Sequence, residues 1–382
     1  MERKDFALYN GEKDYVEIIK LMSDPRKFDI NIDCLKLRRN VEEIYLPLTQ
    51  QEIQLVKEHV SELIESDYID EAEEVLMALV CIVETDINEC LTALINKEYY
   101  RCSTIFKNAS AEVRDLLIER IETEDGERHN ILCALSLIGD QTVFNLFNEW
   151  KNNPPEWINE LYKPLDNYSL VAGWQLSEDG KNKNLFSYDC YPIKKENLTS
   201  KDPEPLLLLE KFEEKCNWCG TTMTTLFDFM LSDKIFDSFN IHGRRLRIVT
   251  CHICSCYTTV YRDIDFDGNS TLSEFNQKPS YLPEINPEEE SIISKNSLKI
   301  SRNKRSYFYG LNNRFIGISA SQIGGLPRWE QEPEYPLCPK CNNTMMFLGQ
   351  LQGSDIVEFG AGIYYAFICH ECKISATSYQ CD

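Results

Sequence analysis

Four Cys-x-x-Cys pairs lie beyond residue 200: Cys216/Cys219, Cys251/Cys254, Cys338/Cys341 and Cys369/Cys372. Sixteen cysteines scattered over the chain would give roughly 0.7 such pairs by chance, so four is an excess with a chemical meaning. The pairs also group. Thirty-one residues separate Cys219 from Cys251, and 27 separate Cys341 from Cys369. Each group offers four thiolates on two knuckles, the arrangement of a ribbon-type structural zinc site. Four sulfurs close the tetrahedron and leave no position for water, so such an ion folds the chain and does not catalyse. The eight cysteines are predicted to hold two structural Zn2+ ions. Cys256 is an alternative ligand to Cys251 or Cys254. His252 and His370 sit inside knuckles already supplied with sulfur and read as turn residues. Disulfides would need an oxidising compartment. The start, Met1-Glu-Arg-Lys-Asp-Phe, has no apolar segment before a cleavage site, which predicts no secretion signal and a cytoplasmic protein. A redox Cys-x-x-Cys motif does not come in four copies with ribbon spacing.

The ligands must be held by a repeated β unit. Cys216-Asn-Trp-Cys-Gly-Thr-Thr-Met223 matches Cys338-Pro-Lys-Cys-Asn-Asn-Thr-Met345 with cysteines, Thr and Met in register. Each second knuckle follows a strand-like run and opens Cys-His-x-Cys: Ile248-Val-Thr-Cys251 and Tyr364-Tyr-Ala-Phe-Ile-Cys369. The register of the repeat favours Cys251 and Cys254 over Cys256. Residues 279–306, rich in Pro, Glu, Ser, Asn and Lys, read as a connection between two units, with Arg302, Lys304 and Arg305 as a small solvated basic cluster. Residues 196–205 read as a second loop.

The first half has a different period. Apolar residues recur at helical spacing from about residue 52 to 150. Val75, Leu76, Leu79, Val80 and Val83 form one stripe. Ile87, Cys90, Leu91 and Leu94 form another, followed by Val113, Leu116, Leu117, Ile118 and Ile121. Ile131, Leu132, Leu135 and Ile138 lead to Val143, Phe144, Leu146, Phe147 and Trp150. Ser110 and Asp140 are placed to cap helices, and Pro154-Pro155 stops the last one. Short amphipathic helices must stack to bury their faces, and Ala134 to Phe147 resembles a HEAT-type repeat. An irregular helical bundle satisfies the same faces.

Charge separates the halves again. The chain holds 62 acidic and 40 basic residues, a net of −22. Residues 1–165 hold 34 and 18, a net of −16, and residues 51–100 alone hold 13 acidic side chains against two basic ones. A phosphate-binding surface must be basic, so the charge argues against non-specific nucleic-acid binding. The acidic half is a solvated surface or a docking surface for a basic partner. No apolar run reaches the ~20 residues of a membrane helix.

Catalytic signatures are sparse. No phosphate-cradling glycine loop, Gly-x-Ser-x-Gly elbow or His-Glu-x-x-His occurs. Asp263 to Glu274 fits a calcium-loop string, with oxygens at Asp263, Asp265, Asp267 and Glu274 and glycine at Gly268. A strand-like run precedes it where a helix is required, and Ser270 stands where an apolar residue is usual, so an acidic turn is expected. Gly324-Gly325-Leu-Pro327-Arg-Trp329 reads as a tight turn with a buried Trp, or as a protein-contacting rim.

Gln322-Ile-Gly-Gly-Leu-Pro-Arg-Trp329, Tyr335-Pro-Leu-Cys-Pro-Lys-Cys-Asn-Asn-Thr-Met-Met-Phe-Leu-Gly-Gln350, Gly362-Ile-Tyr-Tyr-Ala-Phe-Ile-Cys369 and Tyr379-Gln-Cys381 together resemble the YwqG-like family of bacterial proteins. The same order is similar to the amino-terminal region of the programmed cell death protein 2 family. The resemblance covers residues 320–382, and residues 206–262 only through the internal repeat. The first family implies an immunity role in bacterial toxin systems. The second implies a chaperone for a ribosomal protein. Both imply protein binding without catalysis.

The expectation is an α+β multidomain chain. An all-α, HEAT-like domain spans residues 1–165. Two β-rich zinc-ribbon-like units span 166–278 and 307–382, joined by a linker at 279–306. The expected function is a non-enzymatic, zinc-binding immunity protein that occludes a cognate, basic toxin. A chaperone or adaptor for a basic, for example ribosomal, protein is the alternative, and an enzyme with an unrecognised site is the third.

Overall fold

Two helix starts follow directly from capping chemistry. The Ser110 hydroxyl accepts from the Val113 amide at 3.4 Å, and the Asp140 carboxylate from the Val143 amide at 3.0 Å. Each meets a donor that the first helical turn leaves without a partner. The computed structural model describes residues 4–6, 12–25, 32–34, 40–176, 182–195, 206–207, 211–284, 298–311, 319–356 and 360–381. These fall into two compact units, one of residues up to Ala172, the other of Gly173–Gln175 and the described residues from Asn182 onward, Leu176 apart. The fold is α+β.

In the first unit, β1 (Lys4–Phe6) pairs in parallel with β2 (Ile32–Cys34), and α1 (Tyr15–Met22) lies between them in sequence. An all-α first domain is therefore corrected. Three-residue strands are too short to show a two-residue period. The helices continue as α2 (Val41–Tyr45), α3 (Gln50–Glu65), α4 (Ile69–Ala78), α5 (Asn88–Asn96), α6 (Ala111–Arg120), α7 (Arg128–Ile138), α8 (Gln141–Asn152) and α9 (Leu165–Val171). Thr49 and Glu52 close a capping box on α3. A π turn, Leu79–Val83, extends α4 and ends at Glu84 in the left-handed region, φ 57°. Gly139, φ 51°, terminates α7, a position that favours glycine.

Helix α3 packs on α1, α4 and α5, while α7 packs on α6, α8 and α9. Every residue of α7 from Ile131 to Ile138 is buried. A helix buried all round is a central one. Cys81, Cys90 and Cys133 are buried here as small core residues. Helix α9 runs past residue 165, so the helical unit is longer at this end than composition suggests.

The second unit is built on a nine-stranded sheet. Its strands are β5 (Cys190–Lys195), β6 (Leu206–Leu207), β10 (Val260–Ile264), β11 (Ser270–Leu272), β12 (Leu298–Ile300), β13 (Gln322–Gly324), β14 (Met346–Gln352), β15 (Ile363–Cys369) and β16 (Ile374–Gln380). Their order is β11-β10-β16-β15-β14-β13-β5-β12-β6, with every neighbour antiparallel. A short helix, α10 (Gly353–Ile356), follows β14. A separate three-stranded sheet joins β7 (Lys211–Lys215), β8 (Thr222–Met230) and β9 (Arg245–Thr250), and β3 (Trp174–Leu176) pairs with β4 (Asn182–Asn184). One apolar cluster holds Phe227, Phe229, Leu246 and Ile248 of the smaller sheet with Ile323, Leu348, Tyr364 and Ile368 of the larger. All seven side chains of β15 are buried, as in a strand covered on both faces.

Two expected β-rich units are therefore one. Strand β10, which leaves the first pair of knuckles, pairs with β16, the final strand, in the register Val260↔Thr377 to Asp263↔Ile374. The residues expected as a linker supply β12, whose Leu298 and Ile300 are buried. Their composition hid a three-residue strand that the sheet recruits at long range. The loop read at 196–205 lies outside the described residues.

Candidate metal centres

Hairpins bring the knuckles together in the first centre. Cys216 and Cys219 lie in the β7–β8 turn, and Cys251 and Cys254 follow β9 directly. Their four sulfurs all lie within 4.8 Å of one another. Cys216 Sγ is 3.6 Å from Cys254 Sγ, and Cys219 Sγ is 3.4 Å from Cys251 Sγ. A tetrahedral ion with metal–sulfur bonds of ~2.3 Å requires sulfur–sulfur edges of about 3.8 Å. A disulfide requires ~2.05 Å. The donor set fits a four-coordinate metal. The Thr221 hydroxyl reaches Cys219 Sγ at 3.0 Å and Cys251 Sγ at 3.5 Å, so it orients two of the ligands.

The second centre repeats the plan. Cys338, Cys341, Cys369 and Cys372 meet within the same limit, with Cys341 and Cys369 sulfurs 3.8 Å apart. The sequence repeat becomes a repeat of hydrogen bonds. The Cys216 amide donates to Thr221 O at 2.8 Å and the Gly220 amide to Cys216 O at 2.9 Å. In the second copy, the Cys338 amide donates to Asn343 O and the Asn342 amide to Cys338 O, both at 2.8 Å. Gly220 and Asn342 occupy equivalent left-handed positions, φ 76° and 60°. Glycine adopts that region freely, and asparagine is among the few other residues that do.

Electrostatics agree with a cation at each centre. Hydrogen bonds from the Cys251 and Cys254 thiols hold Cys216 far below the ordinary thiol range. The bond to Cys216 in turn pushes Cys251 up to about 12 and Cys254 higher. Burial pushes Cys369 up to about 12 and Cys372 to about 11. Without a cation, neither set can ionise together near neutrality. Metal loading at pH 7 is therefore expected to release protons, measurable with a pH indicator in weak buffer. The sign on acidification follows. Protons return to the sulfurs, the metal leaves, and the loaded protein loses stability as pH falls.

The structure resolves the alternatives around the knuckles. Cys256 lies outside the four-sulfur set, and its thiol donates to His252 O at 3.2 Å. His252 is buried in its turn, and burial lowers the pKa of both His252 and His370. The calcium-like string folds as the β10–β11 hairpin, where Asp265 Oδ1 accepts the Asp267 and Asn269 amides at 3.0 and 2.8 Å. That is a turn, with no helix on its leading side.

The Gly-Gly loop is a packing feature with an unusual brace. Gly324 and Gly325 have φ of 66° and 69°, and a Cβ on Gly324 would lie 2.0 Å from Asp189 O. Trp329 stacks on Tyr365 at 4.8 Å between ring centres. Residues 325–332 are pinned by glutamine side chains from the sheet. Gln322 Nε2 donates to Leu326 O at 2.9 Å, Gln350 Oε1 accepts the Arg328 amide at 2.9 Å, and Gln380 Nε2 donates to Glu332 O at 3.0 Å. Sequence reading passed over their role, although Gln322 and Gln350 stand in the quoted motif. The signal was available: an amide at a strand position between apolar neighbours must find partners. The cluster read as solvated is also engaged. Arg302 pairs with Asp233 at 2.7 Å, Lys304 with Asp189 at 2.6 Å, and Arg305 donates to Gln322 Oε1 at 2.8 Å.

No helix among the described residues is long and apolar enough to cross a membrane. No family model matches the chain, and no solved structure matches it. A Salmonella typhimurium (strain LT2) protein named "Uncharacterized protein YpfL" is 32% identical over 382 residues, covering 99% of this chain and 88% of that protein. Identity at that level, along nearly the whole of both proteins, makes this chain a member of the YpfL family.

Proposed function

We propose that the chain is a non-catalytic, zinc-stabilised protein-interaction module that occludes a basic partner, and that the partner is a cognate bacterial toxin. Zinc is the metal that four thiolates in a closed tetrahedron suit best, and such a site offers no position to a substrate. The resemblance to YwqG-like proteins supports the immunity role, and the stacked helices support a HEAT-type scaffold for it.

The observation that carries the reading is the acidic face of the helical unit. Glu62, Glu65, Asp67, Asp70 and Glu74 are exposed. A cleft of about 320 Å³ nearby is lined by Asp67, Ile69, Asp70, Glu71, Glu98, Tyr99, Arg101 and Glu127; its five carboxylates outnumber the one guanidinium, which suits a lysine or arginine side chain. Glu73, from the same run, is buried and accepts from Tyr99, so it belongs to the core and not to this face.

The test is capture from the native host with the full chain as bait. Reversal of Glu62, Glu65, Asp70 and Glu74 to lysine is expected to weaken retention of a basic protein at least tenfold. The wild-type complex should also dissociate with a steep salt dependence. Equal retention and an unchanged salt slope would overturn the reading. A ribosomal protein as the captured partner would replace immunity by the chaperone role implied by the programmed cell death protein 2 resemblance.

A further inference from the structure

The two metal centres share a plan but not a cover. In the first, Cys216, Cys251 and Cys254 are buried and Cys219 alone is half-buried. Phe212, Trp218, Ile253, Leu272 and Leu282 pack around the buried ligands. Thr221, itself buried, holds its hydroxyl 3.0 Å from Cys219 Sγ. A hydrogen bond to a thiolate lowers its basicity, and its nucleophilicity falls with it. In the second copy of the repeat this cover is replaced residue by residue. Lys340 stands in the place of Trp218, Asn343 in that of Thr221, Glu371 in that of Ile253 and Lys373 in that of Ser255. All four replacements are exposed. Cys341 and Cys372 are only half-buried, while Cys338 and Cys369 stay buried. The two open sulfurs come one from each knuckle, and the four sulfurs of the centre all lie within 4.8 Å of one another.

We propose that Cys341 and Cys372 are a modification site for hydroperoxides, whose oxidation opens the second centre while the first stays closed; this rests on the reading of both cysteine groups as metal centres. One open thiolate attacks an oxygen of hydrogen peroxide, the O–O bond breaks, and a sulfenic acid forms as hydroxide leaves. The other thiolate attacks the sulfenic sulfur and expels its hydroxide, closing a disulfide. Two thiolates lose two electrons, the peroxide is reduced to two hydroxides, and two protons from solvent make these water. A bond within one knuckle would instead draw Cys338 or Cys369 out of the core. The two sulfurs left over are half of a closed tetrahedral set, so the second centre can no longer retain its ion. A thiol reductant reverses the disulfide by exchange.

The experiment adds hydrogen peroxide to the full chain loaded with Zn2+ and follows released metal with a chromogenic chelator. Remaining thiols are alkylated under denaturing, chelating conditions and mapped by mass spectrometry. One ion per chain is expected to leave about tenfold faster than the other. Its loss should coincide with a Cys341–Cys372 crosslinked peptide and with two fewer alkylatable thiols than the 16 in the chain. Asn343→Thr combined with Glu371→Ile copies the cover of the first centre, keeps every ligand, and should slow the release several-fold. No release, release of both ions together, earlier release from the first centre, a disulfide within one knuckle, or sulfinic acid without a crosslink overturns the proposal. An unchanged rate in the covered variant does so as well. A chain that holds fewer than two ions before peroxide is added overturns the metal-centre reading itself, and the proposal with it.

Discussion

Cys251→Ser is expected to lower bound metal from two ions per chain to one, by elemental analysis, and to unfold the β-rich unit near room temperature. Serine cannot supply the fourth thiolate, and the remaining three sulfurs stay crowded without a closed shell. Metal binding contributes about 10–16 kcal/mol to folding in small zinc peptides, against a net stability of about 5–15 kcal/mol for a typical domain. Losing even half of one centre's contribution removes most of that margin. Chelation of both ions from the wild-type chain should have a larger effect on the same unit. The helical unit has its own buried core, from Val16 to Trp157, and should keep its far-ultraviolet helical signal. Cys369→Ser is the mirror variant and should also leave one ion. The β10–β16 pairing adds a sharper expectation. Amides of β16 should lose hydrogen-exchange protection in Cys251→Ser, although β16 follows the other centre, because the partner strand leaves the damaged knuckle. Two ions retained in either variant would dismiss the ligand assignment.

The metal centres were legible because their chemistry is local. Two residues between cysteines make a knuckle whatever surrounds it, and the matching Gly220 and Asn342 positions reproduce the same turn. The helical stripes were legible for a related reason: burial of Leu76, Leu94, Leu117 and Leu135 follows a 3.6-residue period that each helix carries in itself. The sheet was not. Nothing in Val260-Tyr-Arg-Asp-Ile264 says that its partner lies more than a hundred residues away, because strand pairing is decided by the packed whole and not by the strand. The same limit turned β12 into a linker and made one β unit look like two. Charge misled in the opposite direction. Glu73 belongs to the acidic run of residues 51–100 yet is fully buried, and so is Arg262. Long charged side chains are placed inside only when a partner is ready, and that partner is non-local too.

Glu214→Gln tests the more consequential of these burials and is expected to destabilise the β-rich unit by about 2–3 kcal/mol. Arg262 on β10 is 0% exposed. Its Nε donates to Ser270 Oγ at 2.9 Å, and its Nη2 to Ser270 O at 2.6 Å and to Glu214 Oε2 at 2.8 Å. The guanidinium also lies 5.4 Å from the Phe212 ring centre, while its Nη1 has no hydrogen-bond partner. Glu214 therefore supplies the counter-charge for a cation that water does not reach. Breaking a fully buried pair costs about 3–5 kcal/mol, and the Glu214 carboxylate, 36% exposed, is screened enough to bring the figure down. Replacing both partners, Glu214→Gln with Arg262→Met, removes the charge and fills the space, so most of the loss should return. Urea unfolding of the metal-loaded chain measures both. A single variant within about 0.5 kcal/mol of wild type would show that Ser270 and the Phe212 ring hold the cation without Glu214. The location gives the pair its weight. Glu214 stands on β7 two residues before the ligand Cys216, and Arg262 stands on the strand that pairs with β16. The ion pair thus ties the three-stranded sheet of the first centre to the nine-stranded sheet of the second. Glu214→Gln is accordingly expected to speed zinc loss from the first centre to a chelator without altering any ligand.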